Sequence, residues 1–169
     1  THGEKYCAEY SEKKGGNSAL FGFRGFPGEI CFSVNHIAVH GIPKNQELSR
    51  DDIVTIDITV EKDGYFGDAA WTYLLDKEDT DKLRLIQAAW QSSLAGISKC
   101  KAAGFIGDIG AAIEKTSKRF GVNIIQDLVG HGVGFKVHEE PQIPHFGLKG
   151  GGQPIVPGMV FTVEPVVTL

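Results

Sequence analysis

The chain has 169 residues, with 17 Lys and Arg against 21 Asp and Glu, for a net charge of -4 with its six His neutral. At 41% apolar residues it can bury a core as one domain, which excludes intrinsic disorder. The acidic balance, with basic pairs only at Lys13-Lys14 and Lys118-Arg119, argues against nucleic-acid binding, and no apolar run approaches the roughly 20 residues of a membrane span.

Residues 2–14 read as a short charged helix ending at Gly15-Gly16. With no capping residue ahead of a full apolar face, it reads as the tail of an element begun upstream. Residues 29–36 and 37–43, rich in Ile, Val and Phe, predict two strands, and 53–60 with 65–75 predict a clearer pair around the hairpin signal Asp63-Gly64. Leu83, Ile86, Trp90, Leu94 and Ile97 recur at spacings of three and four, the apolar stripe of a long helix closed by Gly104. A second helix carries Ile109, Ile113, Thr116 and Phe120 and ends at Gly121. Residues 122–129 and 159–167 return to strand character, and the Gly- and Pro-rich stretch 146–157 is a loop and not a domain boundary. Strands, two helices and strands again make an α+β fold in a single domain, 1–169. The last strand reaches Leu169 without a stop signal.

Cys7, Cys31 and Cys100 are far apart and odd in number. They suit neither a disulfide framework nor a Cys-based zinc ribbon, so a reducing cytoplasm is expected. Asp57 stands between Ile56 and Ile58 in a run that otherwise reads as a buried strand, where a bare carboxylate is costly. If Asp63-Gly64 is the turn, Thr59 lies opposite Asp68 and Asp57 opposite Ala70, so both aspartates share one face. As diagonal neighbours they stand about 7 to 8 Å apart at Cα, near enough to meet over a shared cation. Glu164 repeats the pattern within Phe161-Thr162-Val163-Glu164-Pro165. His40 precedes Gly41, His131 lies between Gly130 and Gly132, and His138 precedes Glu139-Glu140; any one of these alone reads as a turn residue. Two Asp, one Glu and at least one His form an oxygen-rich set suited to Mn, Fe(II), Co or Zn at a hydrolytic site. The sequence has no Gly-x-Ser-x-Gly elbow, phosphate loop, His-Glu-x-x-His helix or calcium loop. Cys31, on a predicted strand, reads from its surroundings alone as packing.

Six runs carry a resemblance. They are Val39-His40-Gly41-Ile42-Pro43, Ile56-Asp57-Ile58-Thr59-Val60, Gly67-Asp68, Gly130-His131-Gly132-Val133-Gly134, His138-Glu139-Glu140-Pro141 and Pro157-Gly158-Met159-Val160-Phe161-Thr162-Val163-Glu164-Pro165. In this order, across about residues 7–169, the chain resembles the type I methionine aminopeptidases. The resemblance implies the pita-bread fold, a curved antiparallel sheet with helices packed on its outer face. It implies two divalent metal ions, Co, Mn, Fe(II) or Zn, held by Asp57, Asp68, His131 and Glu164. It also makes Glu164 the proton acceptor, His138 the donor to the developing oxyanion and His40 the contact to the substrate amide. Phe23, Phe26 and Cys31 match residues that wrap a methionine side chain. Two departures stand out. Val137 occupies a position where many members carry an aromatic, and a fifth, bridging Glu from a later strand is absent from a sequence that stops at Leu169; the family's first helices are missing too. The implied activity is hydrolytic removal of N-terminal Met from peptides or nascent proteins in the cytoplasm. The partners are then the substrate N-terminus and, through it, the ribosome, with no nucleic acid and no membrane. The alternative is a catalytically incomplete or non-catalytic pita-bread protein that binds peptides or partners.

Overall fold

Asp63 and Gly64 take left-handed φ values of 55° and 81°. Positive φ at both central residues is what a two-residue type I′ turn requires, and this turn sets the register of a long hairpin. The computed structural model that shows it describes residues 1–75 and 79–169. The chain falls into two compact units, Thr1–Asp79 with Gly134–Val137, and Thr80–Val133 with His138–Leu169.

The first unit begins with α1 (His2–Lys13). Where the sequence reading finds no capping residue, the structure has one: the Thr1 hydroxyl accepts the Glu4 N–H in a capping box completed by the Glu4 carboxylate. Glu4 Oε1 also accepts the Glu29 N–H at 2.9 Å, so one side chain caps the helix and ties it to the chain entering the sheet. The sheet comprises β1 (Asn17–Ser18), β2 (Cys31–Val34), β3 (Ile53–Lys62) and β4 (Tyr65–Leu74), all antiparallel, with β3 paired to each of the others. The predicted strand over 37–43 does not form. Ile37 N–H turns back to the Val34 carbonyl, His40 takes a left-handed φ of 56°, and the Gly41 carbonyl accepts the Phe32 N–H. Those bonds satisfy the segment locally and leave it as a loop strapped to β2. Residues 134–137 belong to the same unit; the Phe66 N–H donates to the Gly134 carbonyl at 2.7 Å and the Tyr65 and Phe135 rings lie 5.2 Å apart.

The second unit holds α2 (Thr80–Ile97), α3 (Ile106–Arg119), β5 (Asn123–Ile124), β6 (Gly130–Gly132), β7 (Glu139–Ile143) and β8 (Val167–Thr168). The buried residues of α2 are Ala88, Ser92 and Gly96, while Trp90, Leu94 and Ile97 are 46%, 42% and 51% exposed. The stripe of large residues therefore does not face the core as its spacing predicts. The two helices approach too closely for large side chains: a Cβ on Gly96 would lie 2.8 Å from the buried Ile113 side chain, and the Ser92 and Ser117 hydroxyls meet at 2.9 Å. Nor is Gly104 the end of α2, which stops at Ile97; Gly104 closes the turn after it, with its N–H on the Lys101 carbonyl. Ile106, Ile109 and Ile113 of α3 form the core with Ile143 and Ile155, each worth roughly 1.5–3 kcal/mol when removed from water. Of the strand predicted over 159–167, only the end pairs regularly, β8 with β5. Before it, Thr162 N–H bonds the His131 carbonyl and Val133 N–H the Val160 carbonyl, so this segment runs along β6 until Pro165, which has no N–H to give a ladder.

Candidate active site

In the first unit, β3 and β4 place Asp57 opposite Ala70 and Thr59 opposite Asp68, the register the hairpin turn predicts. Asp57, Thr59 and Asp68 thus share a face, and β2 adds Cys31 directly across from Asp57. The Cys31 thiol, 2% exposed, is pushed up to about 12, first by burial and then by the charges of Asp57 and Asp68. Both carboxylates act electrostatically on the same sulfur, as their shared face allows. Phe23 and Phe26 lie half-buried at the two ends of a tight turn, Phe26 N–H to the Phe23 carbonyl at 2.9 Å, shortly before β2. His40 is exposed on the loop strapped to β2, one residue before Gly41, whose N–H bonds the Ser33 hydroxyl at 3.1 Å. Val137 is buried.

In the second unit, β6 carries His131. Its ring Nδ1 lies 2.9 Å from the Gly132 carbonyl. A carbonyl only accepts, so Nδ1 bears a proton, and the other ring nitrogen is Nε2. That Nε2 stands 3.4 Å from Glu164 Oε1. The His138 ring lies beside it, centroids 4.2 Å apart and planes tilted by 57°. The flanking glycines serve this arrangement by letting backbone in close: a Cβ at Gly130 would fall 2.5 Å from the Thr162 carbonyl oxygen, and one at Gly132 2.3 Å from that of Glu140.

Two residues of this site escape sequence reasoning. The Thr162 hydroxyl accepts the His131 N–H at 2.9 Å and donates to Glu164 Oε1, so one oxygen holds both neighbours. His145, 0% exposed, accepts the Glu164 N–H on Nε2 at 3.3 Å. Burial pushes its imidazole down to about 4, against an opposing pull from the Leu128 backbone, so the ring is neutral. Thr162 looks like any β-branched strand residue. His145 carries no glycine flank, and its one signal is an imidazole between Ile143-Pro144 and Phe146.

The structure thus groups Asp57 and Asp68 with Cys31, and His131 with Glu164 and His138. Among the described residues, no three or more His, Cys, Asp or Glu side chains are gathered closely enough to hold a metal ion. The chemistry of the donors fits one nonetheless. His131 has one ring nitrogen held by a backbone carbonyl, as a metal-ligating imidazole does, which leaves Nε2 as the side that would meet an ion. Its Nε2 faces a carboxylate oxygen 3.4 Å away, so a proton or a cation can be shared between them.

The model of metallopeptidase family M24 matches residues 3–169. The chain is 41% identical over 167 residues to methionine aminopeptidase B of Synechocystis, a match covering 95% of this chain and 61% of that protein. It is 37% identical over 164 residues to methionine aminopeptidase 1 of Bacillus subtilis, covering 97% of this chain and 66% of that protein. Among solved structures, methionine aminopeptidase from Rickettsia prowazekii superposes with a TM-score of 0.94 at 35% identity, covering 97% of this chain and 66% of that one. The enzyme from Thermotoga maritima gives 0.91, also at 35% identity and the same coverages. The α+β pita-bread fold expected from the sequence is the fold these structures share with the chain, which spans 61% and 66% of the length of the two sequence relatives named.

Proposed function

The chain belongs to metallopeptidase family M24, and from that membership we propose that it is the core of a methionine aminopeptidase, a metal-dependent exopeptidase acting on the N-terminus of peptides or nascent chains. The observation that carries this reading is His131 Nε2 facing Glu164 Oε1 at 3.4 Å with Nδ1 turned to a backbone carbonyl, the disposition of a histidine and a carboxylate that share a cation. Asp57, Asp68, His131 and Glu164 would hold one or two divalent ions, drawn from Co, Mn, Fe(II) and Zn. The chemistry such an ion supplies when bound is Lewis acidity toward a water and a carbonyl oxygen.

The remaining work falls to side chains. A Glu164 oxygen accepts the proton of the attacking water. His138 donates a ring N–H to the oxygen on which charge develops, and stays off the metal. His40 contacts the nitrogen of the scissile amide. Phe23, Phe26 and the neutral thiol of Cys31 enclose the methionine side chain, a surface without charge that suits a thioether. Three free cysteines suit a cytoplasmic protein, where the ribosome would be met through the substrate. Among the described residues, no helix is long and apolar enough to cross a membrane.

Mn(II) and Co(II) titration calorimetry, paired with cleavage of a Met-Ala-Ser peptide, tests the reading. We expect His131→Ala to abolish tight metal binding, and His138→Ala to lower kcat about 100-fold while leaving metal affinity nearly unchanged. Equal loss of metal in the two variants would overturn the roles, and no metal binding by the parent chain would overturn the function.

A further inference from the structure

The geometry assigns His145 the role of positioning residue for Glu164. This deepens the reading above and rests on it.

A metal-ligating carboxylate must leave its backbone in one direction. Glu164 lies in a stretch without a regular ladder and just before Pro165, so strand pairing does not hold its amide. The Glu164 N–H donates to His145 Nε2 at 3.3 Å instead. At the other end, the Thr162 hydroxyl donates to Glu164 Oε1. The residue is therefore held at both its amide and its carboxylate, by partners from different parts of the second unit. His145 itself follows β7, on the Pro144 side of which Ile143 is locked in the isoleucine core, so the ring has a rigid base. The imidazole is fully buried, and its Nε2 is used on the backbone of this one residue. Accepting that N–H requires a lone pair on Nε2.

The test compares the parent chain with His145→Leu, which keeps bulk but has no acceptor, and His145→Gln, whose Oε1 reaches the place of Nε2. The first readout needs no metal: amide hydrogen exchange at Glu164, followed by NMR. The expected result is about 10-fold or faster exchange in His145→Leu, with His145→Gln close to the parent. The second is Mn(II) affinity, expected to fall about 10- to 100-fold in His145→Leu and to recover in His145→Gln. Should the Leu variant not fold, His145→Asn, whose amide is too short to reach, replaces it with the same expectation. Unchanged exchange and affinity in the acceptor-less variant, with the parent binding Mn(II), overturn the role of His145 alone. A parent chain that binds no Mn(II) overturns the metallopeptidase reading, and the role with it, whatever the exchange data give.

Discussion

Cys31 and Asp57 are directly opposed in the β2–β3 register, and the thiol is held neutral in part because that carboxylate and Asp68 are near it. A thiolate is the reactive form, and raising a thiol from its ordinary 9.0 to about 12 lowers its population at pH 8 by about 10³-fold. Alkylation by iodoacetamide, followed by mass spectrometry against pH, should therefore leave Cys31 of the folded chain unmodified where an exposed thiol reacts. Asp57→Asn removes one like charge and should move the alkylation profile to lower pH, though not to the ordinary value, because burial is the larger cause. A profile that does not move would mean the carboxylate is not near the sulfur.

Thr162→Val keeps the shape of the side chain and deletes the oxygen that serves both His131 and Glu164. The His131 N–H loses its acceptor, which should cost about 1–3 kcal/mol in a denaturant melt. Mn(II) affinity should fall about 10-fold or more, as it does when a ligand's supporting hydrogen bond is removed. Thr162→Ser, which retains the hydroxyl, should recover most of both.

At Gly96 two effects of opposite sign compete. Alanine in a helix interior is about 1 kcal/mol better than glycine by propensity. Here the new methyl would meet Ile113 at 2.8 Å and Val163 at 3.1 Å, and Ile113 is locked in the core. Overpacking of this kind costs about 1–3 kcal/mol, so Gly96→Ala should destabilise, read as a lower urea midpoint. Stabilisation would show that the two helices separate at little cost.

Asp108 accepts the N–H groups of Phe105 and Gly150 at 3.0 and 2.9 Å, and those two bonds hold its carboxyl below the usual range. The folded chain then takes up this proton less readily than the unfolded one. Its contribution to stability is complete above the unfolded value of about 3.8 and drains away as pH falls through the folded value. Thermal melts from pH 7 down to pH 3 should show a shallower loss of Tm in Asp108→Asn than in the parent, and parallel curves would count against the carboxylate as the group responsible.

The hairpin was legible because one dipeptide, Asp63-Gly64, fixes the register by geometry and the register fixes which face Asp57 and Asp68 share. Pairing His131 with Glu164 needed the family resemblance, since no spacing rule links residues so far apart in sequence. His145 and Thr162 stayed hidden because their work is on backbone groups, which leave no compositional mark. The stripe through Trp90, Leu94 and Ile97 misled because size was read as burial. At a close helix crossing the interior belongs to Ala88, Ser92 and Gly96, whose periodicity is as regular but whose hydrophobicity is low. The expected strand over 37–43 failed because a left-handed residue and a few local hydrogen bonds outweighed β propensity.

The slot around His131 also bears on how this sequence can drift. With carbonyl oxygens 2.5 and 2.3 Å from where side chains at positions 130 and 132 would begin, the smallest replacement, alanine, already collides with main chain that has no rotamer to retreat into. A histidine between two such positions cannot be compensated from its neighbours. A library randomised at 130 and 132 and sorted for folded protein should return glycine at both, whether or not the selection asks for activity, so that the segment is locked by fit before chemistry makes any demand of it.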